Sequence, residues 1–199
     1  MKKIAIIHYK SLVGELILGS HGDDLCIADW LHRSMRSAID ARIKTGLNAE
    51  FVEQSSPVLQ ETIRQLDAYF YEGSTEFDIP IQLVGTSFQQ KVWTALNAIP
   101  YGKTETYQGF SKKLGNEKAT RAVATANGAN AISIIIPYHR IIGSDVSLVG
   151  YAGGYRLRRS YWLWKTRIES TSWSCFEMLV EIKPNICINA LFIFLNMLY

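Results

Sequence analysis

The sequence predicts an α/β protein of the α+β kind in two domains, the first strand-rich and the second mainly helical. Three observations carry that expectation. Short apolar runs parted by glycine turns crowd the amino terminus, a helical apolar stripe follows Ser56, and Pro100, Gly102 and Gly115 then cut the chain into short helices. A helix pair with a tight glycine turn closes the pattern and predicts a helix-turn-helix, although that spacing also fits any helical hairpin.

Each element has its own justification. "KIAIIHYKS" and "GELILGSHGDDLCIADWL" read as strands, with "HGDD" as a hairpin connection. "SSPVLQETIRQLDAYFYEG" reads as a helix capped by Ser56, with Pro57 in its first turn, Leu59, Ile63, Leu66 and Phe70 on one face, and Gly73 ending it. "EFDIPIQLVG" is an extended linker, because Pro80 disfavours helix before it. The boundary falls at 78–86, giving domains 1–82 and 83–165 and a tail, 166–199. "TSFQQKVWTALNAIP" opens on a Ser87–Gln90 capping box and buries Phe88, Val92, Leu96 and Ile99. "TYQGFSKKLG" and "NEKATRAVATANG" are the helix pair, with Gly115 as C-terminal cap and Asn116 as N-cap. "AISIIIPYHRII" reads as a buried strand ending in a PYHR turn, and "LVGYAGGYRLRRSYWLWK" as a glycine-rich loop entering a helix.

Composition excludes several classes. With 48% hydrophobic and 20% charged residues, the 199-residue chain reads as globular rather than disordered. A net charge of +3 permits nucleic-acid binding without requiring it. The tail holds Arg167 and Lys183 against Glu169, Glu177 and Glu181, so the positive excess lies in Met1 to Lys165. Cys26, Cys175 and Cys187 are scattered, which predicts reduced thiols and no metal site. The amino terminus carries no secretory pattern, making the cytoplasm the expected location. The final apolar run falls short of the roughly 20 residues that span a bilayer, so no membrane role is expected.

The run "FQQKVWTALNAIPYGKTETYQGFSKKLGNEKATRAVATANGANAISIIIPYHRIIGSDVSLVGYAGG" resembles the DNA-binding and active-site domain of the O6-alkylguanine-DNA alkyltransferases, also called methylated-DNA–protein-cysteine methyltransferases. The amino-terminal part resembles their first domain. The resemblance implies a ribonuclease-H-like first domain and a winged helix-turn-helix-like second one. It implies double-stranded DNA containing O6-alkylguanine as partner, no cofactor, and a monomer.

In that family the cysteine of a PCHR motif takes the alkyl group from guanine O6, once per protein. Displacement at saturated carbon suits a soft thiolate, which a neighbouring histidine helps to ionise. Here Tyr138 stands in that position beside His139, and Lys165 stands where the family glutamate holds the histidine. A phenol with a pKa near ~10 is a harder and mostly protonated nucleophile, and a cation near His139 opposes the relay. No active catalytic residue is therefore expected. Alkyltransferase-like proteins, in which tryptophan commonly replaces the cysteine, share this feature; they usually lack the amino-terminal domain. They mark lesions for another pathway, which implies nucleotide-excision repair proteins as partners.

The lesion-reading residues are present. The resemblance matches Tyr107 to the tyrosine that crowds the phosphate of the flipped nucleotide, and Arg121 to the arginine that fills the vacated stack. Ala119, Ala122 and Ala126 match the small face that approaches the minor groove, and Asn130 the asparagine linking helix to active-site loop. Pro137, Tyr138 and Arg140 form the turn, and Tyr151 and Gly153 belong to the loop that closes over the extruded base. Two other readings stay open: a degraded enzyme with little function, and an alkyltransferase using another nucleophile. Against the latter, Cys26 lies in the first domain and the other two cysteines in the tail.

Overall fold

A computed structural model describes residues 2–143; Tyr151, Gly153, Lys165 and the tail 166–199 lie outside the described residues. β1 (Lys2–Ser11), β2 (Gly14–His21) and β3 (Asp24–Trp30) form an antiparallel meander. The "HGDD" turn forms as expected, with Gly22 supplying the left-handed φ of 62° that the reversal needs. β4 (Ala49–Glu53) joins parallel to β1, so the sheet order is β3-β2-β1-β4.

A parallel neighbour requires a crossover, and α1 (Arg36–Leu47) supplies it. Neither α1 nor β4 is marked by the sequence. Of α1 only Ile39 and Ile43 are buried, and charged residues interrupt its apolar stripe. Those two isoleucines pack with Ile4, Ile17, Cys26, Ile27 and Ala49 into one core. α2 (Pro57–Tyr71) lies across β1, β2 and β3. Its start is the expected one, the Ser56 hydroxyl accepting from the Leu59 amide at 3.4 Å. Ile63 is only half-buried, however, and Thr62, Gln65 and Tyr69 share the inner face with Leu59, Leu66 and Phe70. Helices on both faces explain why β2 is buried at five consecutive positions instead of alternating.

The linker runs along the open side of β3: the Leu25 amide donates to Pro80 O at 2.8 Å and the Gln82 amide to Leu25 O at 2.9 Å. α3 (Ser87–Leu96) then starts one residue earlier in its capping register than the sequence suggests. Thr86, not Ser87, is the N-cap, and Gln89, not Gln90, completes the box. Gly85, just before the cap, lies tight against the helix, because a Cβ there would meet the Trp93 ring at 2.6 Å. Trp93 accordingly takes an inner position with Val92 and Leu96, while Phe88 is 40% exposed.

The helix pair is α4 (Tyr107–Lys113) and α5 (Thr120–Gly128), and both α4 and α3 pack on α5. Gly115, at φ 81°, makes the turn as expected. Asn116 makes no side-chain cap, and the second helix enters through a 3-10 turn, Glu117–Ala119, instead. A small parallel pair, β5 (Glu105–Thr106) with β6 (Ile141–Ile142), holds the end of the PYHR segment against the start of α4.

The isoleucine run is not a strand. Between Asn130 and Tyr138 only Ile132 bridges a strand, pairing with Ala28 of β3. The rest folds into turns: the Ile135 amide donates to Ser133 O at 2.8 Å and the Tyr138 amide to Ile136 O at 2.8 Å. Those are γ-turns. Pro137 centres the second with φ −83° and ψ 56°, the relaxed form. Ile134 centres the first with φ 72°, the strained form and an outlier for a β-branched residue. Apolar content predicted the burial correctly but said nothing of the path.

Candidate functional site

The turns bring one face of the second domain against the end of β3. Tyr138, His139 and Arg140 form a 3-10 turn and are 2%, 3% and 9% exposed. Tyr138 points inward: its phenol oxygen lies 3.2 Å from Ser133 Oγ, which donates to Asp29 Oδ1 at 2.9 Å. The Ser133 hydroxyl thus stands between the Asp29 carboxylate and the phenol oxygen, within donating distance of both.

Asp29 is the node of this region. Arg33 donates to it at 2.6 Å with both side chains fully buried, and Arg36 donates at 2.9 Å. The same Arg33 donates to Asn130 O at 2.8 Å and Gly128 O at 2.5 Å, and Arg42 donates to Ala129 O at 2.8 Å. These are the orphan carbonyls at the end of α5, and cationic donors suit that helix terminus. The Arg42 guanidinium stacks 5.3 Å above Trp93, and burial, then the nearby Arg33, holds its pKa below the usual arginine range.

Asn130 holds the path of the turns. Its Oδ1 accepts from the Ile132 amide at 2.9 Å, and its Nδ2 faces Ile132 O at 3.2 Å and Ile136 O at 3.3 Å. Asn127, one helical turn earlier, faces Tyr107 Oη at 3.2 Å and Tyr138 O at 3.3 Å, so it joins two of the three tyrosines singled out by the sequence. Arg140 donates to Ile99 O and lies 5.7 Å over the Tyr101 ring. Pro137 and Arg140 line a cleft of about 450 Å³ with Phe77, Asn97 and Tyr101.

On the outer side of α5, Arg121 and Ala122 are exposed and Ala119 is half-buried. Ala126 does not share that surface. It is 2% exposed, and its carbonyl accepts from the Trp93 indole at 2.8 Å. The i, i+3, i+7 spacing that groups the three alanines turns inward by its last member, because α5 packs on α3. Asp29, Arg33, Arg42, Asn127 and Ser133 were not singled out by sequence. Only Asn127 and Ser133 lie in the recognised motif, and nothing local marks the three others.

Cys26 offers no second nucleophile. It is 1% exposed, its thiol donates to Gly19 O at 3.4 Å, and burial followed by the charge of Asp24 pushes its pKa up to about 12. Among the described residues no cluster of His, Cys, Asp and Glu could hold a metal. None of the described helices is long and apolar enough to cross a membrane.

A sheet domain followed by a helix-turn-helix domain that carries a buried PxHR turn defines a DNA-alkyltransferase class. Family models agree in both halves: the ribonuclease-like domain of 6-O-methylguanine DNA methyltransferase matches residues 5–83, and its DNA binding domain matches 87–165. The chain belongs to the 6-O-methylguanine DNA methyltransferase family. It is 40% identical over 152 residues to the methylated-DNA–protein-cysteine methyltransferase of Mycobacterium leprae, covering 75% of this chain and 86% of that protein. The constitutive enzyme of Bacillus subtilis is 40% identical over 141 residues, 71% of this chain and 82% of the relative. The crystal structure of Mycobacterium tuberculosis O6-methylguanine methyltransferase superposes with a TM-score of 0.69 at 35% identity, covering 82% of this chain and 93% of that one. A structure of the M. tuberculosis protein in complex with DNA gives 0.66 at 37% identity, covering 83% and 94%.

Proposed function

We propose that this protein binds double-stranded DNA carrying O6-alkylguanine, extrudes the modified base, and leaves its alkyl group in place. One observation carries the second half of that reading. Tyr138 occupies the family's acceptor position, and its only heteroatom beyond the backbone is turned into the protein, on Ser133 and through it Asp29. In-line displacement needs a nucleophile presented to the alkyl carbon, and a phenol oxygen buried against Ser133 is not so presented. Cys26, the one thiol among the described residues, is buried and held protonated.

Support for the first half comes from the DNA-binding family model over 87–165 and from the relative solved with DNA. Arg121 and Ala122 stand exposed on α5, where a minor-groove contact and an intercalating side chain would sit. Extrusion costs a few kcal/mol, least for a mispaired lesion, and Arg121 would offset part of it by filling the gap. A lesion held but not repaired would mark the site for excision by nucleotide-excision repair proteins, the protein acting as a monomer.

Two measurements on the full chain test the reading. Anisotropy with labelled duplexes should show tighter binding to O6-methylguanine than to guanine. Intact mass after incubation with excess lesion duplex should stay unchanged. A stoichiometric methyl adduct would overturn the claim of inactivity, and equal affinity for both duplexes would overturn lesion reading.

A further inference from the structure

Gln65 sits on the inner face of α2 and is 8% exposed. Its Oε1 accepts from the Asp78 amide at 2.8 Å, and its Nε2 donates to Asp78 O at 2.9 Å and to Glu61 Oε1 at 2.8 Å. One side-chain amide thus offers the backbone of Asp78 both a donor and an acceptor, the exchange that a neighbouring antiparallel strand would make. Further along the linker, Pro80 O and the Gln82 amide bond to Leu25 of β3. The linker is therefore fixed on both sides of buried Ile79, by a helix side chain and by a sheet edge. An apolar residue could fill the inner face of α2 equally well. What the buried amide adds is a set position for the chain beside it.

That position seats Phe77, which comes just before the clamp. Its ring lies 5.2 Å from Tyr69 of α2, Tyr69 stands edge-on to Tyr101 at 6.4 Å, and the Arg140 guanidinium lies 5.7 Å over Tyr101. Arg140 closes the 3-10 turn that begins with Tyr138. Phe77 and Arg140 line the same cleft of about 450 Å³ from separate elements, and the row of rings is a packed route from the linker to the turn.

We propose that Gln65 is a positioning residue for the lesion site: by clamping Asp78 it seats Phe77 against Tyr69, and through Tyr101 it holds Arg140 and the acceptor turn in place. This rests on the lesion-binding reading above. In that reading plain duplex meets the outer side of α5, whereas an extruded base also meets the turn. A turn that the ligand must first re-order binds it more weakly, so loosening the clamp lowers lesion preference while sparing DNA binding as such.

The test uses the full chain. Gln65→Met removes the clamp at nearly constant volume, and Phe77→Leu removes the ring it seats, serving the same comparison if the first change disturbs folding. In the free protein, hydrogen exchange at the Arg140 amide, which donates to Pro137 O at 2.9 Å, should quicken roughly three- to tenfold relative to the Leu18 amide in the sheet. Anisotropy with O6-methylguanine and guanine duplexes should show the lesion preference reduced by a similar factor, with affinity for the guanine duplex held within about twofold. In a Tyr101→Leu background, Gln65→Met should add nothing to either effect. A general loss of stability reproduces neither the fall in preference nor that non-additivity. Unchanged relative exchange at Arg140, an unchanged lesion preference, or losses that add in full to those of Tyr101→Leu would each overturn the positioning role while leaving lesion binding intact. A wild type that does not separate O6-methylguanine from guanine removes the parent reading instead, and the exchange measurement then decides alone whether Gln65 holds the turn.

Discussion

The meander of β1, β2 and β3 and the segment 128–140 are both buried, and they are held together in opposite ways. In the sheet, every strand is paired along its length, from Ala5 opposite Ser20 to Leu16 opposite Trp30, and side chains contribute mainly apolar area. In the segment, local turn bonds are supplemented by side chains: Arg33, Arg42 and Asn130 reach its backbone, and Ser133 and Asn127 anchor the tyrosines. The sheet spreads its stability over many equivalent contacts. The segment concentrates it in a few polar atoms, and for that reason it can hold a strained residue, Ile134, at φ 72°.

That contrast is open to direct attack, beginning with its strongest point. Arg33→Met should cost about 3–5 kcal/mol, since it leaves part of the buried Asp29 charge uncompensated and strips donors from Gly128 O and Asn130 O. Denaturant unfolding reads this, and a loss below about 1 kcal/mol would mean that Asp29 is not the node. Asn130→Ala comes next at about 1–3 kcal/mol, because the buried Ile132 amide loses its acceptor while Ile132 O and Ile136 O each lose a second donor. In the sheet, Ile17→Val should cost only about 1 kcal/mol although Ile17 is 6% exposed, a plain loss of one methylene. Tyr138→Phe should cost a similar ~1 kcal/mol, the worth of the phenol–Ser133 bond, while leaving lesion affinity within about twofold. A much larger drop in affinity would place the phenol oxygen on the ligand and not on Ser133.

The smallest effect near neutral pH belongs to Cys26. Its folded pKa is raised to about 12, so its contribution to stability is complete below the ordinary thiol value of about 8.5 and falls as pH climbs from there. Unfolding midpoints measured from pH 7 to 10 should therefore decline more steeply for wild type than for Cys26→Ala. Equal slopes would show that the thiol ionises as easily in the folded sheet as in the unfolded chain.

Much of the architecture was legible before any coordinates. The hairpin at Gly22, the Ser56 cap of α2, the glycine turn between α4 and α5, and the tyrosine in the PYHR turn all follow from local chemistry. Local chemistry also misplaced some features. It chose Ser87 over Thr86 as a cap because both residues qualify by type, and so do Gln90 and Gln89 as their partners. It grouped Ala126 with Ala119 and Ala122 because helical spacing cannot see that α3 covers the last of them.

What the sequence determined by itself is the hairpin, the helix caps and turns, and the placing of a tyrosine in the PYHR turn, since backbone preferences and caps are properties of neighbours along the chain. The tertiary structure decided where that chemistry points. Asp29 meets Ser133 across 104 residues, and Arg33 meets Asn130 across 97. No periodicity in the chain records such pairs, because they form only when β3 accepts the bridge from Ile132 and brings two distant turns within hydrogen-bond reach.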